Sequence, residues 1–302
     1  MLTRYFTSPA LKPVRSLARA FARAAIGVVS RERVIGGVRW SWIEAGPDDG
    51  EPLVLLHGFA GSKDNWILIA PLLALRYRVI CPDLPGFGES GLVTGADYSI
   101  GEQADRVVRF IDALDLGPCH LGGNSMGGFI ALAIALDAPD VVASLMLLNN
   151  AGVDGAQLTP AQQALKAGHD LFAVRNANDV DILMSMLFHK PPYLPWLARR
   201  AIASQLAMRQ ELEQLILGQI LIDAVERPLN KRLGEVAVPV LIIWGRGDNL
   251  LHVSAADAQH QGIAGAELVI LEDAGHVPMI ERPRRTAREM LSFVARQGLV
   301  IT

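Results

Sequence analysis

The sequence predicts an α/β protein with a mostly parallel, doubly wound sheet and an inserted helical cap. Over most of the chain, short apolar runs alternate with longer amphipathic runs, as strands alternate with the helices that cover them. Between residues 153 and 234 this alternation stops, and the sequence is typical of helices interrupted by prolines. We therefore expect a core formed by residues 31–152 and 235–302, and a helical cap formed by residues 153–234.

The sheet begins with a predicted β-hairpin. Residues 34–35 and 38–43 are two strand-like segments separated by Gly36 and Gly37. Two consecutive glycines are favoured in two-residue hairpin turns, because both central positions need a positive φ. These first two strands are therefore expected to be antiparallel.

The remaining elements alternate in the order expected of a parallel sheet. Compact apolar runs predict the other strands at residues 53–56, 77–81, 119–122, 142–148, 240–244 and 267–271. Longer amphipathic runs predict the core helices at residues 64–75, 100–116, 126–137 and 284–296. A helix between two strands returns the chain to the same edge of the sheet, so that successive strands run parallel.

Composition argues against some functions and leaves others open. The 302 residues carry a formal net charge of −3, which gives no global reason to expect nucleic-acid binding. Hydrophobic residues make up 51% of the chain, a content that suits a buried sheet, an apolar substrate channel or contact with a membrane. Cys81 and Cys119 lie in apolar, strand-like runs, so we expect two buried thiols rather than a disulfide or a catalytic cysteine.

The N-terminal segment, residues 1–30, is basic and contains no acidic residue. Arg15, Arg19 and Arg23 recur every four residues beside an apolar stripe, which is the pattern of a basic amphipathic helix. Two interpretations stay open: a helix that makes peripheral contact with an anionic membrane, and a helix packed on the body of the protein. An organelle transit peptide is a third.

Targeting signals of other kinds are not predicted. The arginines interrupt any long apolar stretch near the N-terminus, so we expect no cleavable signal peptide. The chain contains no run of about 18 uncharged apolar residues, so we expect no transmembrane helix. The sequence therefore predicts a cytoplasmic or peripheral membrane protein.

A glycine-rich motif between a predicted strand and a predicted helix suggests a nucleophile. Residues 123–127 read Gly-Asn-Ser-Met-Gly, a G-x-S-x-G pattern that places Ser125 on a tight strand-to-helix turn. Glycines are needed beside such a turn because a Cβ there would collide with the neighbouring strand or helix. The alternative is a glycine-rich turn whose serine only caps the helix.

A serine hydroxyl needs a base to accept its proton, and the base needs an orienting carboxylate. His276 lies in the loop that follows the strand predicted at residues 267–271, and Asp248 directly follows the strand predicted at 240–244. Doubly wound sheets place their sites in loops of this kind. The chain order Ser125, Asp248, His276 is the one expected for a strand-to-helix nucleophile of this type. The alternatives are a structural loop histidine and a turn aspartate.

Acyl transfer also needs donors for a developing oxyanion. We expect one donor to be the backbone N–H of Met126, the residue after the nucleophile. The second is expected from the loop after the strand at residues 53–56, with the N–H of Phe59 preferred. An ordinary glycine-rich loop is the alternative, and we expect His57 to shape that loop.

Three segments resemble a known family of enzymes. They are residues 57–66 (HGFAGSKDNW), 82–90 (PDLPGFGES) and 123–128 (GNSMGG). Together with Asp248 and His276 they resemble the α/β-hydrolase superfamily from about residue 33 onward. Within it they are similar to the bacterial family V lipases and the monoacylglycerol-lipase-like hydrolases of the ABHD6 type.

The resemblance implies an α/β-hydrolase fold and cleavage of carboxylic esters, including acylglycerols, through an acyl-enzyme. It also implies a small-molecule or lipid ester as substrate, and no metal or organic cofactor. Carried over residue by residue, it makes Ser125, Asp248 and His276 the catalytic triad, and Phe59 and Met126 the oxyanion donors.

Two other functions stay open. Hydrolases that cleave carbon–carbon bonds in ring-fission products share the sequence of residues 123–128, GNSMGG. They generally place a tryptophan after the catalytic histidine, where this chain has Val277. A hydrolase-like binding protein without catalysis is the second alternative. Apolar cap residues that either line an acyl-chain pocket or pack the cap helices are Phe172, Leu183, Met184, Met186, Leu187 and Phe188.

Overall fold

One eight-stranded sheet organises this computed structural model, which describes residues 23–93, 95 and 97–297. The strands are β1 (Val29–Ile35), β2 (Val38–Ala45), β3 (Pro52–Leu56), β4 (Arg78–Pro82), β5 (Cys119–Asn124), β6 (Val142–Leu148), β7 (Val240–Gly245) and β8 (Glu267–Leu271). Their order in the sheet is β1-β2-β4-β3-β5-β6-β7-β8. All eight predicted strands are present, several of them longer by a few residues.

The sheet is antiparallel at one edge and parallel elsewhere. β1 pairs with β2, and β2 with β4, in antiparallel fashion, whereas the pairs from β4 through β8 are parallel. Gly36 and Gly37 turn the β1–β2 hairpin with φ of 57° and 79°, as their sequence predicted. Because parallel strands end at one edge, the loops after β3, β5, β7 and β8 lie near one another.

Helices cover both faces of the sheet. They are α1 (Ala70–Leu73), α2 (Ile100–Ala113), α3 (Met126–Asp137), α4 (Pro160–Lys166), α5 (Ala177–Leu187), α6 (Trp196–Ala207), α7 (Gln210–Glu226), α8 (Ser254–Gly262), α9 (Pro278–Glu281) and α10 (Pro283–Gln297). In β3, Val54 and Leu56 face the core that includes α2 and α3, while Leu53 and Leu55 face the core that includes α10. This arrangement confirms the prediction of a doubly wound sheet.

The helix predicted at residues 64–75 is wrong as a continuous element. The structure has a 3-10 turn over Lys63–Trp66 and then the short helix α1, Ala70–Leu73. Pro71 occupies the first turn of α1. Proline has no N–H to continue an existing helix, but it suits the first turn of a new one. Trp66 and Ile69 are still buried, so the apolar pattern was real although the helix is broken.

The helix predicted at residues 100–116 ends earlier, at Ala113. Asp115 follows with φ of 57°, a left-handed conformation that stops an α-helix. By contrast, α3 and β6 occupy the residues predicted for them, 126–137 and 142–148. Cys81 and Cys119 are buried free thiols, as predicted, and burial raises the pKa of Cys119 to about 12.

Between β6 and β7 the chain forms helices α4 to α7 and a 3-10 turn at Leu229–Glu235. We call residues 153–234 the insertion. It has a small apolar cluster of its own around Val174, Val180 and Ala203. Its helical content agrees with the sequence, and its status as a separate cap domain stays a prediction.

The N-terminal segment is described only from Arg23 onward. The predicted arginine stripe at Arg15 and Arg19 therefore lies outside the described residues. Among the helices in the described ranges, none is both long enough and apolar enough to cross a bilayer.

Candidate active site

Ser125 lies on a sharp turn between β5 and α3. Its backbone has φ of 56° and ψ of −120°, a strained conformation for a residue with a side chain. A Cβ at Gly123 would overlap the carbonyl group of Gly127, and one at Gly127 would overlap the carbonyl oxygen of Leu56. The two glycines of the motif therefore permit the close packing that holds Ser125 in this conformation.

Asp248 and His276 are joined by a direct hydrogen bond. His276 Nδ1 lies 2.8 Å from Asp248 Oδ2, and both residues are buried. A carboxylate oxygen only accepts, so Nδ1 carries the proton and Nε2 is left able to accept one. The other carboxylate oxygen of Asp248 accepts from the N–H groups of Leu250 at 2.8 Å and Leu251 at 2.9 Å. These bonds fix the orientation of the carboxylate that accepts from His276.

Asn124 links the serine turn to the histidine loop. Its side-chain Nδ2 donates to the carbonyl of His276 at 2.9 Å and to that of Leu148 at 3.0 Å. Within the described ranges, no hydrogen bond joins the Ser125 hydroxyl to the imidazole of His276. Contacts of this kind are often long without substrate and shorten when it binds. The structure therefore brings Asp248 and His276 into direct contact, and connects Ser125 to them through its neighbour Asn124.

Asn149 is a site residue that the sequence did not reveal. It directly follows β6, has φ of 43°, and donates from Nδ2 to Asp248 Oδ2 at 2.7 Å. Its Oδ1 accepts from the N–H of Gly245 at 3.1 Å, at the end of β7. The one available signal was a polar residue directly after an apolar strand at the carboxyl edge. Asn149 thus positions the carboxylate that orients His276.

Glu281 is a second residue that the sequence did not reveal. Its carboxylate accepts from the N–H of Gly275 at 2.6 Å and from the N–H of His189 at 2.9 Å. The N–H of His276 donates to the carbonyl of Leu187 at 2.8 Å, at the end of α5. The loop of His276 is therefore held partly by the insertion.

The loop after β3 packs directly against the serine turn. A Cβ at Gly58 would lie 3.1 Å from Cβ of Ser125, so the backbone approaches closely there. His57 spans the loop, with Nδ1 2.8 Å from the carbonyl of Gly58 and Nε2 accepting from the N–H of Leu84 at 3.0 Å. Burial is the main cause that lowers the pKa of His57, and the neutral ring suits one donated and one accepted bond.

Phe59 and Met126, the predicted oxyanion donors, flank this contact. Met126 begins α3 directly after Ser125, and Phe59 follows Gly58. In the described part of the chain, neither N–H donates to another protein group. The positive end of the α3 dipole also lies at this point. The Phe59 ring contacts Phe172 of the insertion, with centroids 5.1 Å apart.

A buried ion pair supports the loops around the site. Lys63 Nζ binds the carboxylate of Asp83 and donates to Ser41 Oγ at 3.1 Å, and both charged residues are buried. Asp83 also accepts from the backbone N–H of Lys63 at 2.6 Å and of Glu89 at 2.7 Å. These bonds join the segments 57–66 and 82–90 and explain their polar residues as scaffolding.

Comparison with known proteins identifies the family. Residues 53–289 match the model of the alpha/beta hydrolase family. This chain is a member of the α/β-hydrolase family. Its eight-stranded, mostly parallel sheet is the fold that the sequence resemblance implied.

The α/β-hydrolase relatives include lipases. Lipase 1 of Psychrobacter immobilis is 35% identical over 258 residues, covering 85% of this chain and 81% of that protein. Monoacylglycerol lipase ABHD6 of Mus musculus is 28% identical, covering 82% of this chain and 77% of that protein. The solved structure of a membrane phospholipase A, a bacterial virulence factor, has a TM-score of 0.88 and 34% identity, covering 95% of this chain and 93% of its own.

Proposed function

We propose that this α/β-hydrolase is an enzyme that cleaves carboxylic esters with Ser125 as the nucleophile. The observation that carries the proposal is the geometry at the carboxyl edge of the sheet. A strained serine lies on the tight turn after β5, and its neighbour Asn124 donates to the backbone carbonyl of His276 at 2.9 Å. The buried imidazole of His276 donates from Nδ1 to the Asp248 carboxylate at 2.8 Å. The similarity to bacterial lipases and to monoacylglycerol lipases supports ester cleavage over carbon–carbon bond cleavage and over ligand binding without catalysis.

In the first half-reaction, Ser125 Oγ attacks the ester carbonyl while Nε2 of His276 takes the hydroxyl proton. Asp248 stabilises the imidazolium that forms. The oxyanion of the tetrahedral intermediate accepts hydrogen bonds from the N–H groups of Phe59 and Met126. His276 then gives its proton to the leaving alcohol, and the acyl group stays on Ser125.

In the second half-reaction, water replaces the alcohol. His276 takes a proton from the water as its oxygen attacks the acyl-enzyme, and the same two N–H groups stabilise the second oxyanion. The intermediate collapses to the carboxylic acid, and the proton returns to Ser125 Oγ.

The proposed substrates are lipid esters, acylglycerols among them, because the relatives include bacterial and monoacylglycerol lipases and a membrane phospholipase A. An apolar region of the insertion adjoins the predicted oxyanion loop, where Phe172 contacts Phe59. Met186 packs in the same cluster as Phe172, whereas Met184 packs in the internal cluster of the insertion. We propose that the acyl chain lies along Phe59 and Phe172, and that Met184 serves packing.

The domain arrangement belongs to the same proposal. Residues 31–152 and 235–302 form the catalytic core, and residues 153–234 form a cap that shelters the acyl chain. We also propose that residues 1–30 make peripheral contact with a membrane. Within that segment, Arg23 is buried and paired with Asp64 at 2.8 Å, so this arginine serves packing on the core.

Ser125→Ala tests the function. We expect turnover of p-nitrophenyl esters to fall by several orders of magnitude, because the residual rate without a nucleophile comes only from binding and the oxyanion donors. The wild type should be labelled by a fluorophosphonate probe, and the variant should not. Unchanged thermal unfolding provides the control for folding.

Three results would contradict the proposal. Esterase activity that survives Ser125→Ala would exclude Ser125 as the nucleophile. A wild-type enzyme that hydrolyses a ring-fission dienone in preference to esters of any chain length would indicate carbon–carbon bond hydrolysis. Absence of both activities and of probe labelling would indicate a binding protein.

A further inference from the structure

Exposed apolar side chains concentrate in the insertion. Of the fifteen large apolar residues that are exposed in the described part of the chain, nine lie within residues 153–234. Three of them are close together in sequence: Tyr193 is 90% exposed, Trp196 53% and Leu197 56%. We call residues 189–200, which contain these three, the insertion tip.

The helix that carries the insertion tip packs against the apolar cluster of the insertion. On α6, Ala203 is buried against Val174 and Val180, with Ile202 and Leu206 packed beside it. Trp196 and Leu197, in the first turn of the same helix, are outside that cluster and face solvent. Pro191, Pro192 and Pro195 restrict the backbone before α6. The exposed aromatic residues are therefore displayed by a constrained segment.

The charge of the insertion tip has one sign. Residues 189–200 contain Lys190, Arg199 and Arg200 and no acidic residue, in a chain whose net charge is −3. Arg199 is paired with Asp181 on α5, whereas Lys190 and Arg200 are exposed. The Arg200 guanidinium lies 4.6 Å from the Trp196 ring centroid, so cation and aromatic share one surface.

The insertion tip begins beside the loop of His276, to which hydrogen bonds connect it. Leu187, two residues before the tip, accepts the hydrogen bond from the N–H of His276, and Glu281 accepts from the N–H groups of His189 and Gly275. A surface on which the tip rests would therefore lie on the side of the molecule where the insertion meets the candidate site.

We propose that the insertion tip docks on an anionic phospholipid surface. Trp and Tyr favour the headgroup region of a bilayer, since their rings combine an apolar body with a polar tip. Exposed Lys190 and Arg200 complement the negative potential of anionic lipids. This proposal rests on the proposed function and deepens it, because a docked insertion tip would bring a lipid ester to the site. A second copy of the chain is disfavoured because it would bring like charges together.

Tryptophan fluorescence tests the docking directly. The chain has five tryptophans, of which Trp40, Trp42, Trp66 and Trp244 are buried and Trp196 is exposed. The experiment uses the full chain carrying Ser125→Ala, so that lipid is not consumed and the result does not depend on catalysis. We expect a blue shift and quenching by brominated lipid on vesicles of phosphatidylcholine with phosphatidylglycerol. Trp196→Phe should remove both signals.

Vesicle co-sedimentation measures the contribution of each side chain. In the same Ser125→Ala background, Trp196→Ser is expected to weaken binding to anionic vesicles roughly tenfold, because its apolar surface no longer enters the interface. Arg200→Gln is expected to weaken it about fivefold, with the loss disappearing at high salt. Val225→Ser, at another highly exposed apolar residue of the insertion, is the matched control and should bind as before.

The proposal is overturned if brominated lipid leaves Trp196 unquenched, or if Trp196→Ser binds anionic vesicles as tightly as its parent. Equal binding to vesicles of phosphatidylcholine alone would also overturn it. So would self-association that depends on Trp196, because it would indicate a second copy as the occupant. With Ser125 restored, the Trp196→Ser variant should hydrolyse a dissolved short-chain ester at the parental rate. Failure of esterase activity in the parent would refute the proposed function alone.

Discussion

At the scale of single residues, the candidate site depends on a buried carboxylate, that of Asp248, whose hydrogen-bond donors can all be named. Asp248 accepts four hydrogen bonds, two from backbone N–H groups and one each from His276 and Asn149. A buried carboxylate needs such donors to stay ionised, and it must be ionised to stabilise an imidazolium. Asn149 belongs to the site for this reason, although it does not touch the reacting atoms.

Asn149→Ala is expected to reduce kcat for ester hydrolysis about 10- to 100-fold, because small misplacements of catalytic groups have effects of that size. The change removes the bond to Asp248 Oδ2 and leaves the N–H of Gly245 without its acceptor. Steady-state kinetics and thermal unfolding separate positioning from folding. Asn150→Ala is the neighbouring control, since among the described residues the Asn150 side chain donates only to the carbonyl of Ala151. Equal losses in both variants would contradict a specific role for Asn149.

His57 is expected to make stability depend on pH. Burial lowers its pKa below the ordinary value of 6.5, so the folded state binds the proton less readily than the unfolded state. Its contribution is therefore fully present above pH 6.5 and is lost as the pH falls toward the lowered pKa. The slope can reach about 1.4 kcal/mol per pH unit.

Denaturant unfolding at pH 7.5 and pH 5.5 measures this effect. His57→Gln should reduce the loss of stability between the two values, whereas His169→Gln, at an exposed residue, should not. The pKa of His120 is also lowered, mainly by burial, so part of the dependence should persist in His57→Gln. An unchanged slope in His57→Gln would show that His57 does not contribute.

At the scale of secondary-structure elements, tertiary contacts decided where several helices begin and end. The apolar pattern of residues 64–75 is helical, yet the chain forms a 3-10 turn that begins at Lys63. The Asp83 carboxylate accepts from the backbone N–H of Lys63 and pairs with the Lys63 ammonium, which holds the chain in that turn. Pro71 then starts α1 as a separate helix. A buried ion pair that joins two loops thus sets the local structure beside the candidate site.

Lys63→Met is expected to destabilise the fold by about 3–5 kcal/mol, since it leaves the Asp83 carboxylate buried without its charged partner. Lys166→Met removes an exposed pair with Asp154 and should cost about 0–1 kcal/mol. Free energies of unfolding in urea measure both. Similar small effects would show that water or backbone donors compensate for the lost ammonium.

At the scale of the whole molecule, hydrogen bonds to Glu281 connect the insertion to the core beside His276. Glu281 contributes both carboxylate oxygens, one toward the loop of His276 and one toward the insertion tip. Ser125, Asp248 and His276 follow strands of the sheet. The hydrogen bonds of Glu281 connect the loop of His276 to the insertion tip, the surface that we propose meets lipid.

Glu281→Ala is expected to weaken the connection between the insertion and the loop of His276, because it removes the acceptor for the N–H groups of His189 and Gly275. Amide hydrogen exchange in residues 187–193 should accelerate, because the N–H of His189 loses its acceptor, and kcat should fall roughly tenfold as the loop of His276 gains freedom. Glu211→Ala, at an exposed residue on α7, is the control for the loss of a carboxylate from the insertion. Unchanged exchange would contradict the coupling between insertion and site.

By itself, the sequence was sufficient to predict the strands, the α/β class and the serine turn. It also predicted Asp248 and His276 as site residues, and the structure places these two in hydrogen-bond contact. These predictions follow from local rules. The spacing of apolar residues, glycines at crowded turns and polar residues directly after strands can all be recognised along the sequence. Asn149, Glu281 and the Lys63–Asp83 pair were decided only by the tertiary structure, because each acts on a partner distant in sequence. Exposure at Tyr193 and Trp196 was likewise decided there, because an apolar residue is buried or exposed according to what packs against it.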